Sequence, residues 1–451
     1  MKKLIIFAAS FLFFSFSVQA QGMGRKPSDF SHPEWSRNAT IYEVNLRQYT
    51  PEGTFKAFAQ HLPRLQKMGV KILWLMPVQP IGMKNRKGTL GSYYSVRDYL
   101  KVNPEYGTMQ DFKDLVGKVH ALGMYVIIDW VANHTSWDNV LITSHPEWYK
   151  KGPKGNIISP VPDWTDVAGL DYSQPGLRKY MTDALIFWVK ETGIDGFRCD
   201  VAGMLPIDFW DEAVPMVKKV KPVFMLAEAE TPDMHQIAFD ATYSWDFFHL
   251  MNSMAKGKKP VIRLDSLLSA DRKKFPTDAY RLRFTSNHDE NSWSGTEYER
   301  MGDGALAFAV LTFTVPGMPL IYSGQEAALK KRLRFFDKDT IPWMNFPLGG
   351  FYTKLVQMKS SRKALANGSE GGVFIKVSNN SLKSVHSFLR KKDNDRIFVV
   401  INFSAAKQEV IFPSNDIPGK YTELFTGQTK IFKAGEKLML SPWQYLVYLS
   451  D

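Results

Sequence analysis

Short apolar runs recur along the chain, most of them ending in polar or charged residues and most followed by a stretch with helical spacing. They are Ile41 to Val44, Ile72 to Met76, Tyr125 to Asp129, Ile194 to Asp200, Val223 to Ala227, Asp240 to Tyr243, Tyr280 to Ser286 and Pro319 to Tyr322. Runs of that length alternating with helices predict a parallel α/β architecture, and eight of them is the number a closed (β/α)8 TIM barrel requires. Two of the intervening helices are legible in detail. The segment 108–124 opens on a Thr cap, carries apolar residues at Phe112, Leu115, Val116, Val119 and Leu122, and stops at Gly123. The segment 55–70 has the same spacing but contains Pro63, which should kink or split it.

Between His134 and Asp171 this rhythm breaks into a stretch rich in Pro, Gly and Trp, which predicts an inserted lid over the barrel mouth after the third strand. After about Asn367 the pattern changes again, to short alternating strands separated by Asn, Asp and Gly turns, the signature of a C-terminal antiparallel β-sandwich domain. The expected organisation is a barrel over 21–134 and 172–367, a lid over 135–171 and the β domain over 368–451.

Composition narrows the class. A chain of 451 residues with 44% hydrophobic and 23% charged residues is an ordinary globular protein of more than one domain. Lys2 and Lys3 precede an apolar run from Leu4 to Phe16, and Val18-Gln19-Ala20 offers a small-x-small cleavage site, so residues 1–20 are expected to be a secretory signal peptide. The mature chain is then expected to be exported, periplasmic or extracellular, without a membrane anchor. The formal charge of +12 is spread thinly and no nucleic-acid-binding motif accompanies it, so a nucleic-acid partner is not expected. The single cysteine, Cys199, rules out an intramolecular disulfide.

Side chains at the C-terminal ends of barrel strands converge on one open face. Four strand ends here carry polar clusters: Asp129 with Asn133 and His134, Arg198 with Asp200, Glu228, and His288 with Asp289. Because a strand sends alternate residues to the same side, Arg198 and Asp200 share a face and Cys199 looks away from it. Taken singly, each cluster has a plainer reading: a strand-end salt bridge for Arg198 and Asp200, a turn for Asn133 and His134, and a solvated helix start for Glu228, with Glu230 as a competitor. Together they form a set suited to one kind of work. A pair of carboxylates flanking a glycosidic bond can serve as nucleophile and general acid, and an arginine beside the first keeps it charged.

Ordered along the chain, DWVANH (129–134), GFRCDVA (196–202), LAEAE (226–230) and FTSNHDE (284–290) resemble the signature regions of the α-amylase family, glycoside hydrolase family 13. GVKILWLMPV (69–78), GSYYSVRDY (91–99), GLDYS (169–173) and GMPLIYSGQE (317–326) match it as well. The resemblance implies catalytic roles for Asp200 (nucleophile), Glu228 (acid/base) and Asp289 (third carboxylate). It implies substrate-binding roles for Arg198, His134, His288, Tyr94 and Asp129, with Tyr94 as a stacking platform. Trp137, Trp164 and Tyr172 are candidates for further subsites or for core packing. It implies no cofactor for the chemistry, and allows a structural calcium with Asn133 as a candidate ligand. The chain departs from the family at Gly203 and Met204, where many members carry a Lys-His pair. The expected activity is retaining hydrolysis of α-1,4-glucosidic bonds in starch-like α-glucans or maltooligosaccharides. A transglycosylase or an exo-acting α-glucosidase would use the same residues, and a noncatalytic glucan-binding protein would have lost one of the carboxylates.

Overall fold

The structure, a computed structural model, describes residues 31–413 and 417–450; the expected signal peptide lies outside them. Ten strands build the first part of the chain: β1 Ile41–Val44, β2 Ile72–Leu75, β3 Tyr125–Trp130, β4 His134–Ser136, β5 Val167–Gly169, β6 Gly196–Cys199, β7 Phe224–Ala227, β8 Ala241–Tyr243, β9 Tyr280–Arg283 and β10 Met318–Tyr322. Eight of them close a parallel barrel in the ring order β1-β10-β9-β8-β7-β6-β3-β2, whereas β4 and β5 pair antiparallel with each other in the inserted segment.

Alternation along the strands divides the apolar residues between two layers. Ile41, Ile72, Trp74, Ile127, Phe224 and Leu226 fill the barrel interior, while Tyr42, Leu73, Leu75, Val126, Ile128 and Cys199 pack outward against the helices. Strands covered on both faces read as unbroken apolar runs, which is why the sequence announces them. The helix Met109–Ala121 carries a capping box between Thr108 and Asp111. The Pro63 segment is split into the helices Phe55–Ala59 and Leu62–Met68, with the proline in the first turn of the second, where its missing N–H has no partner to lose.

Among the described residues eight further strands follow: β11 Val373–Lys376, β12 Val385–Lys392, β13 Asp395–Asn402, β14 Gln408–Phe412, β15 Gly419–Glu423, β16 Thr429–Phe432, β17 Glu436–Leu440 and β18 Tyr445–Ser450. They form a six-stranded sheet, β11-β12-β13-β18-β15-β16, and a two-stranded sheet, β14-β17, both antiparallel. Phe398, Val400, Val410, Phe412 and Leu440 meet between the two sheets. The other face of the larger sheet packs on the barrel through the helix Ala305–Thr314, where Phe308 stacks on Phe403 at 4.7 Å. None of the helices among the described residues is long and apolar enough to cross a membrane.

Candidate active site

The C-terminal ends of the barrel strands surround a cavity of about 490 Å³ lined by Tyr94, His134, Asp200, Glu228, His288 and Asp289, with Trp164, Trp293, Phe335 and Phe336 around its rim. Arg198, at the third position of β6, is fully buried and organises the floor. Its Nη1 donates to Asp129 Oδ1 at 2.9 Å and to Asp200 Oδ1 at 3.0 Å. Its Nη2 forms an ion pair with Glu228 Oε2 at 2.9 Å, and its Nε donates to the Tyr243 hydroxyl at 3.3 Å. One guanidinium therefore touches carboxylates from three strands, β3, β6 and β7. The plain salt-bridge reading of Arg198 with Asp200 captures only one of its three carboxylate contacts.

Asp129 is sealed from the cavity and braces it, accepting also from Trp74 Nε1 at 3.2 Å and the Tyr94 hydroxyl at 3.0 Å. The Tyr94 hydroxyl lies 2.7 Å from His288 Nε2, and the two rings are nearly parallel at 5.4 Å. His288 stands between two carboxylates, with Nδ1 2.5 Å from Glu43 Oε1 and Nε2 3.2 Å from Asp289 Oδ2. Glu228 accepts from the Val201 backbone N–H at 2.7 Å. Val201 reaches that position in the left-handed region, at φ 37° and ψ 43°, a costly conformation for a β-branched residue.

Burial governs the titration of these groups. It pushes Asp200 well above the usual carboxylate range, with Arg198 pulling down and Glu228, Asp129 and Asp289 pushing up. Burial also raises Asp129, against the opposing pull of Arg198. Burial works to raise Asp289 too, but the charge and hydrogen bond of His288 carry it below its ordinary value. For His288 burial favours the neutral ring, yet Asp289 and Glu43 outweigh it and hold the imidazolium well above the ordinary histidine range. Burial lowers His134 to about 4, so that ring is neutral at ordinary pH. Asp129, Asp200 and Asp289, close to one another and to Arg198 and His288, therefore titrate together rather than one by one.

All eight residues expected at the site meet around this cavity or directly beneath it. Of the three aromatics of the inserted segment, Trp164 joins the rim, edge-on to His134 at 5.4 Å. Trp137 instead donates to Thr165 O at 2.9 Å, and Tyr172 packs on Phe209 with its hydroxyl on Ala132 O. Sequence reasoning missed Glu43, Val201, Lys87, Phe335 and Phe336. A signal for Glu43 was present, a lone charge inside the apolar run of β1; the others sit on loops without a period. At the departure from the family pattern, a Cβ on Gly203 would meet only Ala229 Cβ at 3.4 Å, and Met204 is 44% exposed.

Asn133, the candidate calcium ligand, lies between β3 and β4. Its amide lies against His134 Nδ1 at 3.2 Å, and among the described residues no group of three or more His, Cys, Asp or Glu side chains is placed to hold an ion.

A family model described as the alpha amylase catalytic domain matches residues 21–156 and 162–396, and one described as the alpha amylase C-terminal all-beta domain matches residues 375–440. Alpha-amylase MalA of Haloarcula japonica is 26% identical over 407 residues, covering 86% of this chain and 58% of its own length. Among solved structures, the maltogenic alpha-amylase AmyB from Thermotoga neapolitana superposes with a TM-score of 0.84 at 32% identity, covering 92% of this chain and 98% of that one. An alpha-amylase from Lactobacillus plantarum gives 0.83 at 32% identity, covering 92% of this chain and 100% of that one.

Proposed function

Since the chain belongs to the α-amylase family, glycoside hydrolase family 13, and is a glycoside hydrolase of oligosaccharides or glucans, we propose that it cleaves α-1,4-glucosidic bonds of starch-like glucans or maltooligosaccharides with retention. Enzymes of this family need no cofactor for that chemistry. The observation that carries the reading is the shared guanidinium: Arg198 holds Asp200 and Glu228 at once, at 3.0 and 2.9 Å. Two carboxyls bridged by one arginine favour the short separation of double displacement, about 5 to 5.5 Å, over the wider gap of about 6.5 to 9.5 Å that single displacement leaves for water.

Asp200 attacks the anomeric carbon while Glu228 gives its proton to the departing oxygen, leaving a glucosyl ester on Asp200. Glu228, now ionised, takes a proton from water; the water oxygen bonds to the same carbon and Asp200 leaves. Arg198, 3.0 Å from Asp200, compensates the negative charge that Asp200 carries as it attacks. Asp289, kept ionised by His288, accepts from sugar hydroxyls. Neutral His134 hydrogen-bonds the same sugar, and Tyr94 offers its ring face. We further propose export of the mature chain, on the basic and apolar leader of residues 1–20.

The test is reducing-end release from soluble starch by the wild type, Asp200→Asn and Glu228→Gln, with the anomer of the first product followed by NMR. The wild type should release the α-anomer, and each variant should lose on the order of 10³-fold or more in kcat. Comparable rates in the three proteins, or a β-anomer first, would refute the reading.

A further inference from the structure

The loop after β2, residues 76–108, doubles back on itself through an antiparallel bridge between Ile81 and Val96. Its base leaves no room to shift, because a Cβ on Gly82 would fall 2.2 Å from Ser136 Cβ. Arg86 ties the turn by donating to Gly82 O at 2.8 Å and Ile81 O at 3.3 Å. The tip then joins two neighbours. Lys87 Nζ lies 3.1 Å from Asp166 Oδ1 and 3.0 Å from Asp163 O, both in the inserted segment. Thr89 donates through its N–H and its hydroxyl to Asp337 Oδ1 at 2.8 and 2.7 Å, and the Leu90 N–H donates to Phe336 O at 2.9 Å, both in the segment after β10. A single wall thus runs from the inserted segment through Lys87 to Phe336.

The ring order tells which end of a substrate meets this wall. Glu228 follows β7, which stands opposite β1, four strands away in either direction. The wall hangs from the loops after β2 and β10, the two strands that flank β1. A departing sugar lies beside the acid, so the wall faces the sugar that stays on Asp200. On the acid's own side the rim is open, at Gly203 and the exposed Met204.

We propose that Lys87, latched onto Asp163 and Asp166, ends the substrate cleft on its non-reducing side, so that the enzyme removes a short product of uniform length from non-reducing chain ends. The inference rests on the hydrolase reading above. Lys87 serves here as a gate rather than a source of stability: its side chain is 34% exposed, and an ion pair so placed contributes little to folding. Its removal opens the wall between the inserted segment and Phe336 and leaves the barrel intact.

The test compares maltoheptaose with maltoheptaose carrying a 4,6-O-ethylidene cap on its non-reducing sugar, with products followed by chromatography. The wild type should release one short product from the free substrate and cleave the capped one at least ~100-fold more slowly; Lys87→Ala with Thr89→Ala should narrow that ratio to ~10-fold or less, and Lys87→Arg should preserve it. Wild-type cleavage of both substrates at similar rates sinks the end wall and leaves the hydrolase reading standing. A double variant that is active on the free substrate yet keeps the wild-type ratio removes Lys87 from the role. Cleavage of neither substrate by the wild type defeats the hydrolase reading, and this inference with it.

Discussion

Glu43 is a carboxylate inside a four-residue strand otherwise made of Ile, Tyr and Val, and it is sealed from solvent. Burial raises its own pKa, and the His288 imidazolium beside it pulls the other way. Its effect on catalysis runs through that ring: with Asp289 it keeps His288 protonated well above the ordinary histidine range. Glu43→Gln removes one of the two anions, so His288 loses its proton at lower pH and with it the charge that keeps Asp289 ionised and in place. The alkaline limb of kcat/KM should move to lower pH, and the value near neutrality should fall by about 10-fold, the size of effect expected of a group that orients a site residue without touching substrate. A pH profile with an unmoved alkaline limb would show that Glu43 only fills space.

At the scale of elements, β6 depends on its first residue. Gly196 has φ 152°, and a Cβ there would lie 1.9 Å from Phe224 O on the neighbouring strand. Gly196→Ala must push β6 from β7 and with it separate Asp200 from Glu228. It should cost more than about 4 kcal/mol, read as a fall in the urea midpoint or as loss of soluble protein. The positions of Arg198 and Asp200 were legible in the sequence because they obey the two-residue period of a strand; the need for glycine two residues before Arg198 was not, because it arises from a contact with another strand. The same contrast holds elsewhere. Most of the eight barrel strands announce themselves as doubly buried apolar runs, β9 with its two buried arginines being the plainest exception. By contrast β15 and β16, with polar residues alternating along GKYTE and TKIF, carry no such run. Between β17 and β18 the chain turns where Trp443 takes φ 56°, a break that the apolar pattern does not mark. The carboxylates of the site ride on strand ends and could be found; Lys87, Phe335 and Phe336 hang from loops, where only the folded chain brings them together.

At the scale of the whole molecule, His32 ties the chain ahead of β1 to the far end of the barrel. Its Nδ1 lies 2.8 Å from Asp240 Oδ1, its Nε2 lies 3.1 Å from Asp278 Oδ2, and its ring stacks on Tyr280 at 4.1 Å. Burial alone would lower its pKa, but the two carboxylates raise it from 6.5 to about 9. The folded chain therefore holds a proton that the unfolded chain has given up. The stabilisation is complete below pH 6.5 and is lost as pH rises through about 9. His32→Ala should lower unfolding free energy by on the order of 2 kcal/mol at pH 6 and by much less at pH 10, and equal losses at both would contradict the tie.

Cys199 stands beside the nucleophile yet points away from it, fully buried among the helices, and burial pushes its thiol far above the ordinary range. The native fold thus presents no thiolate to an oxidant, and the chain has no second cysteine to pair with. Under oxidising conditions Cys199 of the folded protein stays a buried thiol, whereas an opened barrel exposes a reactive sulfur. Modification of this single thiol is therefore a clock for opening of the barrel, running in the same strand that carries the catalytic carboxylate.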